Sequence, residues 1–294
     1  MKLQVMKFRK LSYIVSGALI LLSVLSLFVR GLNYGIDFSG GIAMEVKPVV
    51  QNYGVEQMRA QLSEFKPELQ TVDGDAILIR LGLPRGATDA AQNERVSEIK
   101  NILGDNVEYS QVQVVGPKIG GELVRGGILA IFFAFVMMAI YVWIRYKGGY
   151  AVGAFCSLFV DFVLMFGFFS ITGLEFNQTA IAVILTGIGY SVNDKIVNYD
   201  RIDENVKKYH KMPIDRLIDL SVNEMLRRTM LTSVSTLLAM VALAIFGGQS
   251  LREFAYAMAF SVVMGTFTSI YVSNIMLYHF NLRDADKDTD KLDK

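Results

Sequence analysis

Three ionisable residues lie in or at the edge of stretches apolar enough to cross a membrane. Asp161 sits in Ser157-Leu-Phe-Val-Asp161-Phe-Val-Leu and is the one charge in the run from Gly148 to Leu174. Asp194 closes Gly187-Ile-Gly-Tyr-Ser-Val-Asn193-Asp194, and Arg228 stands just before the apolar run that begins at Thr229. An ionised side chain at mid-bilayer costs about 2.5–3.5 kcal/mol even on the lenient insertion scale, so such residues are functional by default. A carboxyl group and a guanidinium on neighbouring helices can act as a proton relay. Desolvation favours the neutral acid and a nearby Arg favours the carboxylate, so moving one relative to the other takes up or releases a proton. The transmembrane potential is worth about 2.3 kcal/mol per charge per 100 mV, enough to bias a conformational cycle. The competing reading is an assembly contact, in which Asp194 and Arg228 tie helices together or Arg228 snorkels to lipid headgroups. Lys195 follows Asp194 directly and points about 100° away on a helix, so it is expected to snorkel rather than neutralise its neighbour.

Other chemistries lack their residues. There is no GxxxxGK[ST] phosphate loop, no HExxH zinc helix and no GxSxG elbow, which argues against ATP-driven transport, zinc proteolysis and serine hydrolysis; the chain reads as a non-enzyme. One cysteine, Cys156, and two histidines, His210 and His279, leave little for a metal site. A formal net charge of +1 excludes the basic excess of a nucleic-acid binder.

The elements that must position these residues follow from composition. The chain is 52% hydrophobic and 19% charged, against about a quarter charged for a soluble domain. Runs of roughly 20 apolar residues mark membrane helices, and six are predicted: Leu11 to Val29, Gly126 to Ile144, Gly148 to Leu174, Phe176 to Asn193, Thr229 to Leu251 and Phe254 to Leu282. Gly187 and Gly189, and Gly149 with Gly153 at GxxxG spacing, would let helices approach closely. Lys and Arg collect in the N-terminal leader, at Arg145 and Lys147, and between spans four and five. The positive-inside rule therefore puts both termini in the cytoplasm and residues 31–122 outside.

That external segment holds thirteen acidic and eight basic residues, a solvated surface rather than a phosphate clamp. Its patterning predicts strands at Ile42 to Lys47, Leu69 to Val72, Ala76 to Leu81 and Asn106 to Val115. Helices are predicted at Val55 to Phe65 and at Thr88 to Leu103, with Thr88 as a cap and a turn at Asp73-Gly74-Asp75. The order β-α-β-β-α-β is that of the ferredoxin-like motif. The expected organisation is a first span within 1–30, an external α/β domain over 31–122, and a five-helix bundle over 123–282. The bundle includes a basic connection at 198–228, and a disordered tail occupies 283–294.

Taken in order, several motifs resemble the SecF-like members of the SecD/SecF protein-export family, a branch of the proton-driven resistance-nodulation-division group. They are Asn33-Tyr-Gly-Ile-Asp37-Phe38-Ser-Gly40-Gly41, then Leu185-Thr-Gly-Ile-Gly189-Tyr190-Ser-Val-Asn193-Asp194, then Asp200-Arg201-Ile-Asp-Glu204-Asn205. Arg227-Arg228-Thr229 and Phe246-Gly-Gly248 complete the set. The resemblance implies a subunit of the bacterial plasma membrane that works with a SecD chain, the SecYEG channel, an exported unfolded polypeptide and membrane lipid. It implies use of the proton gradient in place of any cofactor, with the proton-path aspartate at Asp194, its arginine at Arg228 and the third-span acid at Asp161. This chain departs from the family pattern at Lys195, where Thr is usual, and at Val160, where His is frequent. The Asp37 to Gly41 segment reads as a polar cap and turn leading into the first strand. The alternatives are a small-molecule or lipid exporter of the wider group, or a non-catalytic translocon scaffold.

Overall fold

The computed structural model describes residues 3–50, 53–71, 76–82, 89–146 and 148–280. The expected turn at Asp73-Gly74-Asp75, the Thr88 cap and the tail at 283–294 lie outside the described residues. Two compact units are present: one comprises Tyr34–Ala130 with Phe176–Gln178, the other the remainder of the chain.

The smaller unit opens with the short helix α2 (Ile36–Ser39) and is then built on alternation. Strand β1 (Gly41–Pro48) pairs antiparallel with β3 (Ile77–Leu81) and β4 (Val107–Val115), and β2 (Glu68–Thr71) adds to the far side of β3. The sheet order β2-β3-β1-β4, with helices between β1 and β2 and between β3 and β4, is the ferredoxin-like arrangement. Ile42, Met44 and Val46 face one side of β1 and meet Leu81, Ile79 and Ile77 in register. Helix α3 (Val55–Gln61) covers that face with Met58, and α4 (Asp89–Leu103) with Ile99 and Leu103, four residues apart and fully buried. Each such side chain contributes about 1.5–3 kcal/mol of transfer free energy.

The remaining long elements are helices, α5 (Pro117–Arg145) beginning within the smaller unit. Helices α1 (Arg9–Val29), α5, α6 (Gly149–Thr172), α7 (Gln178–Lys208) and α8 (Ile214–Phe246), and a last helix starting as α9 (Gln249–Phe267), are each long and apolar enough to cross a membrane. The last one changes to a π-helical turn at Thr268–Ser273 and ends as α10 (Asn274–Leu277).

Several helices run further than hydropathy alone predicts: α5 begins at Pro117 rather than Gly126 and the last span at Gln249 rather than Phe254, and α7 and α8 depart the most. α7 continues from the expected end at Asn193 to Lys208, and α8 begins at Ile214 rather than Thr229. The expected basic connection is therefore mostly helix, with residues 209–213 between. Charged residues end an apolar run but not a helical period: Tyr199, Ile202 and Val206 on α7, and Leu217, Ile218 and Val222 on α8, are buried. Pro213 supplies the break, as the N-cap of α8.

Candidate functional site

The site grows from one polar stripe on α7. Ser191, Asp194, Lys195 and Asn198 recur at three- and four-residue spacing, which puts them on one side of the helix, and all four are buried. Opposite them, α6 presents Asp161 from near its middle, and the last span presents Thr268 and Ser269 from the π turn.

Asp161 is not alone. The Lys195 Nζ lies 2.6 Å from its Oδ2, with the two side chains 2% and 6% exposed. Ser191 Oγ donates to the same Oδ2 at 2.6 Å, and Thr268 Oγ1 donates to Oδ1. The ammonium also donates to Ser191 Oγ and, at 3.3 Å, to Thr268 Oγ1. Lys195 thus uses all three of its donors. Removing one partner of such a buried pair costs about 3–5 kcal/mol, because the other charge is left uncompensated. The expectation that Lys195 snorkels is overturned: its stem enters the bundle because Asp161 lies across from that face of α7.

Asp194, one residue away, has a different environment. It is 4% exposed, and its Oδ2 is buried with no hydrogen-bond partner. Lys195 and Arg228 are the cations that act on it electrostatically. The expected Asp194–Arg228 ion pair is not formed among the described residues: Arg228 makes no salt bridge and its side chain is exposed.

Small residues set the spacing. At Gly187 an added Cβ would overlap Ser261 Oγ, and at Gly265 an added Cβ would lie 3.1 Å from Ser191 Cβ. These approaches bring the last span against α7, where Thr268 reaches the ion pair. Gly189, by contrast, faces open space, so of the two fourth-span glycines only Gly187 serves close packing. Gly149 and Gly153 do sit at close contacts, against Phe280 and the Tyr199 hydroxyl. Tyr190 is half-buried, with its hydroxyl 3.5 Å from Ser233 Oγ, and Asn193 is exposed.

The remaining motif residues are structural ties. Asp200 accepts from Arg145 at 2.5 Å and from the Tyr146 hydroxyl at 2.9 Å. Arg201 bridges Glu224 at 2.7 Å and Glu204 at 2.6 Å, and Asn205 donates to Glu224 and to Ser221. In the smaller unit, Asp37 Oδ2 accepts the Gln178 backbone N–H at 3.2 Å, so it caps the start of α7 from a distance in sequence. Phe38 packs its ring against Phe176, with centroids 5.9 Å apart. Gly41 has φ +154° and lies where a Cβ would be 2.6 Å from the Leu81 carbonyl oxygen, while Gly40 has φ +69°. Both positions require glycine.

Sequence reasoning missed Lys195, Ser191 and Thr268 as members of this cluster. The signals were present as a serine-lysine-asparagine stripe at 191, 195 and 198, and as the polar run from Thr268 to Asn274 in an otherwise apolar span.

A ferredoxin-like domain following the first of six membrane-type helices, with carboxylates buried in the bundle, defines a polytopic membrane protein carrying charge in its core. Comparison gives the particular family. Residues 95–283 match the family described as protein export membrane protein SecD/SecF, C-terminal, and residues 25–48 match the SecD/SecF GG motif. The protein translocase subunit SecF of Rickettsia bellii is 40% identical over 287 residues, covering 96% of this chain and 94% of that one. The subunit of the same name from Rickettsia felis is 39% identical over 290 residues, 96% and 93% of the two chains. Among solved structures, SecDF of Thermus thermophilus, described as a translocon-associated membrane protein, superposes with TM-score 0.84 at 32% identity over 94% of this chain. This chain spans only 38% of that SecDF chain. The protein belongs to the SecD/SecF family of protein-export membrane proteins, as a SecF subunit of protein translocase.

Proposed function

We propose that this chain acts with a SecD partner as a proton-driven accessory of the Sec machinery, assisting late steps of polypeptide export across the bacterial plasma membrane. The observation that carries the reading is Asp194: a carboxyl buried in the bundle with an oxygen free of hydrogen bonds, on a helix that also bears a buried cation. Such a group is costly to keep in an apolar helix and has an acceptor position available for a proton. Arg228 sits within electrostatic reach, so a helix movement that changes their separation would load or unload Asp194. No cofactor is needed; the proton gradient supplies the free energy. Both termini then lie in the cytoplasm with the ferredoxin-like domain outside, where it meets the emerging unfolded polypeptide, and SecYEG is the channel served. The exposed apolar faces of α5 and α8 suit lipid and the SecD helices.

The test is Asp194→Asn in cells that depend on this chain. The variant should assemble with SecD at the parental level while release of exported protein at the outer face slows by about a hundredfold or more, the usual scale for losing a proton-transferring group. Parental release rates would overturn the proposal. Loss of assembly with otherwise normal chain levels would favour the scaffold reading.

A further inference from the structure

We propose that Lys195 selects which acid carries the proton: by neutralising Asp161 it makes the third-span acid a fixed counter-charge and leaves Asp194 as the group that loads and unloads. The inference rests on the proton-coupled reading above and deepens it.

The two carboxylates sit in opposite circumstances. Asp161 receives three donors, Lys195 Nζ and Ser191 Oγ on Oδ2 and Thr268 Oγ1 on Oδ1, drawn from α7 and from the last span. A carboxylate has about four acceptor positions, so little is left for a proton. Protonating Asp161 would also leave the Lys195 ammonium, 1% exposed, without a counter-charge inside the bundle, which is the expensive outcome for a buried pair. The groups that contact the pair are Ser191 on α7 and Thr268 on the π turn; α1, packed on α6 and the π turn, buries only Ser12, Ser16 and Ser23. Asp194 interacts with Lys195 through its field alone, and no second carboxylate lies within salt-bridge distance of Lys195 Nζ among the described residues. Asp194 accepts nothing at Oδ2 and is not in the salt bridge. Its neighbouring cation is already committed on the other side of the stripe. A lysine at 195 therefore confines proton exchange to one acid where the bundle holds two, Asp161 on α6 and Asp194 on α7.

The test is a double-substitution cycle in the full chain, reconstituted with its SecD partner and read as proton flux against pH. Asp161→Asn leaves Lys195 unpaired, and Lys195→Met leaves Asp161 unpaired; each single change should lower flux by about tenfold or more. The combined Asp161→Asn, Lys195→Met chain should recover to within about threefold of the parent, because the two effects share one cause, and its flux should keep the parental pH dependence. A combined variant as inactive as Asp161→Asn, or one with a displaced pH dependence, would mean that Asp161 itself carries a proton and would overturn the inference. So would single variants with parental flux. If the neutral pair fails to accumulate in the membrane, the charge-swapped chain, Asp161→Lys with Lys195→Asp, makes the same comparison: recovered flux supports the assignment and lost flux in an assembled complex contradicts it. Asp194→Asn in the same vesicles separates the two levels. Flux that survives that change removes Asp194 as the proton carrier and with it the basis of both proposals, whereas flux lost there and also in the combined variant defeats only the role given to Lys195.

Discussion

Burial decides which of the charged contacts matter. Arg145 and Asp200 are 2.5 Å apart, but their side chains are 49% and 41% exposed, so the pair is worth at most about 1 kcal/mol. Lys195 and Asp161 make a contact of similar length with almost no exposure, where the loss of either partner is several times more costly. Arg228 belongs with neither: it acts on Asp194 through its field without touching it. A guanidinium that works at a distance needs its charge but not its fork geometry. Arg228→Lys should therefore keep export within about threefold of the parent, while Arg228→Gln loses it, because only bidentate sites discriminate strongly between the two cations. If Arg228→Lys is as defective as Arg228→Gln in a release assay, a direct Asp194–Arg228 contact forms elsewhere in the cycle. At this scale the sequence was informative about cost and silent about pairing. Asp161 and Asp194 stood out because lipid-spanning runs rarely contain carboxylates. Which of them Lys195 meets depends on the rotation of α7 against α6, and a 100° step per residue does not reveal where the neighbouring helix lies.

Elements are placed by where side chains are missing. Gly187 and Gly189 are two residues apart on α7, yet only Gly187 has a neighbour inside van der Waals distance. Gly187→Ala should destabilise the bundle by about 1–3 kcal/mol through overpacking against Ser261, while Gly189→Ala should be neutral or slightly stabilising, as expected for an open helical position. Thermal unfolding of the detergent-solubilised chain measures both, and equal effects at the two sites would contradict the helix packing described. The π turn at Thr268–Ser273 is the other positional device: π segments inside α-helices concentrate at functional sites, and this one delivers Thr268 to the ion pair and Ser269 to Asn198, 2.9 Å away. In the ferredoxin-like unit, Gly41 and Gly40 start β1 under the cap that Asp37 gives to Gln178. The strands were legible to within a residue or two because period-two alternation is unambiguous when one face is buried, as in Ile42, Met44 and Val46. The lengths of α7 and α8 were not, since hydropathy reports where lipid ends and not where the helix ends. The π turn had no local signature beyond its polar residues.

At the scale of the whole chain, charge is sorted. The membrane-type helices carry few ionisable residues in their apolar runs, and those few converge on one polar cluster formed by α6, α7 and the last span. Family and architecture were readable from ordered motifs, because each marks a position with a strict demand: glycine at positive φ, a carboxylate at a helix start, an acid in an apolar span. Which of Asp161 and Asp194 pairs with Lys195 was not readable, because it is a property of packing. The central claim is that Asp194 exchanges the proton that drives the cycle. Its most direct test is proton flux into vesicles containing this chain and its SecD partner under an imposed pH gradient, comparing the parent with Asp194→Asn at equal assembled amounts. The prediction is a fall in flux of about a hundredfold or more; flux equal to the parent's would contradict it.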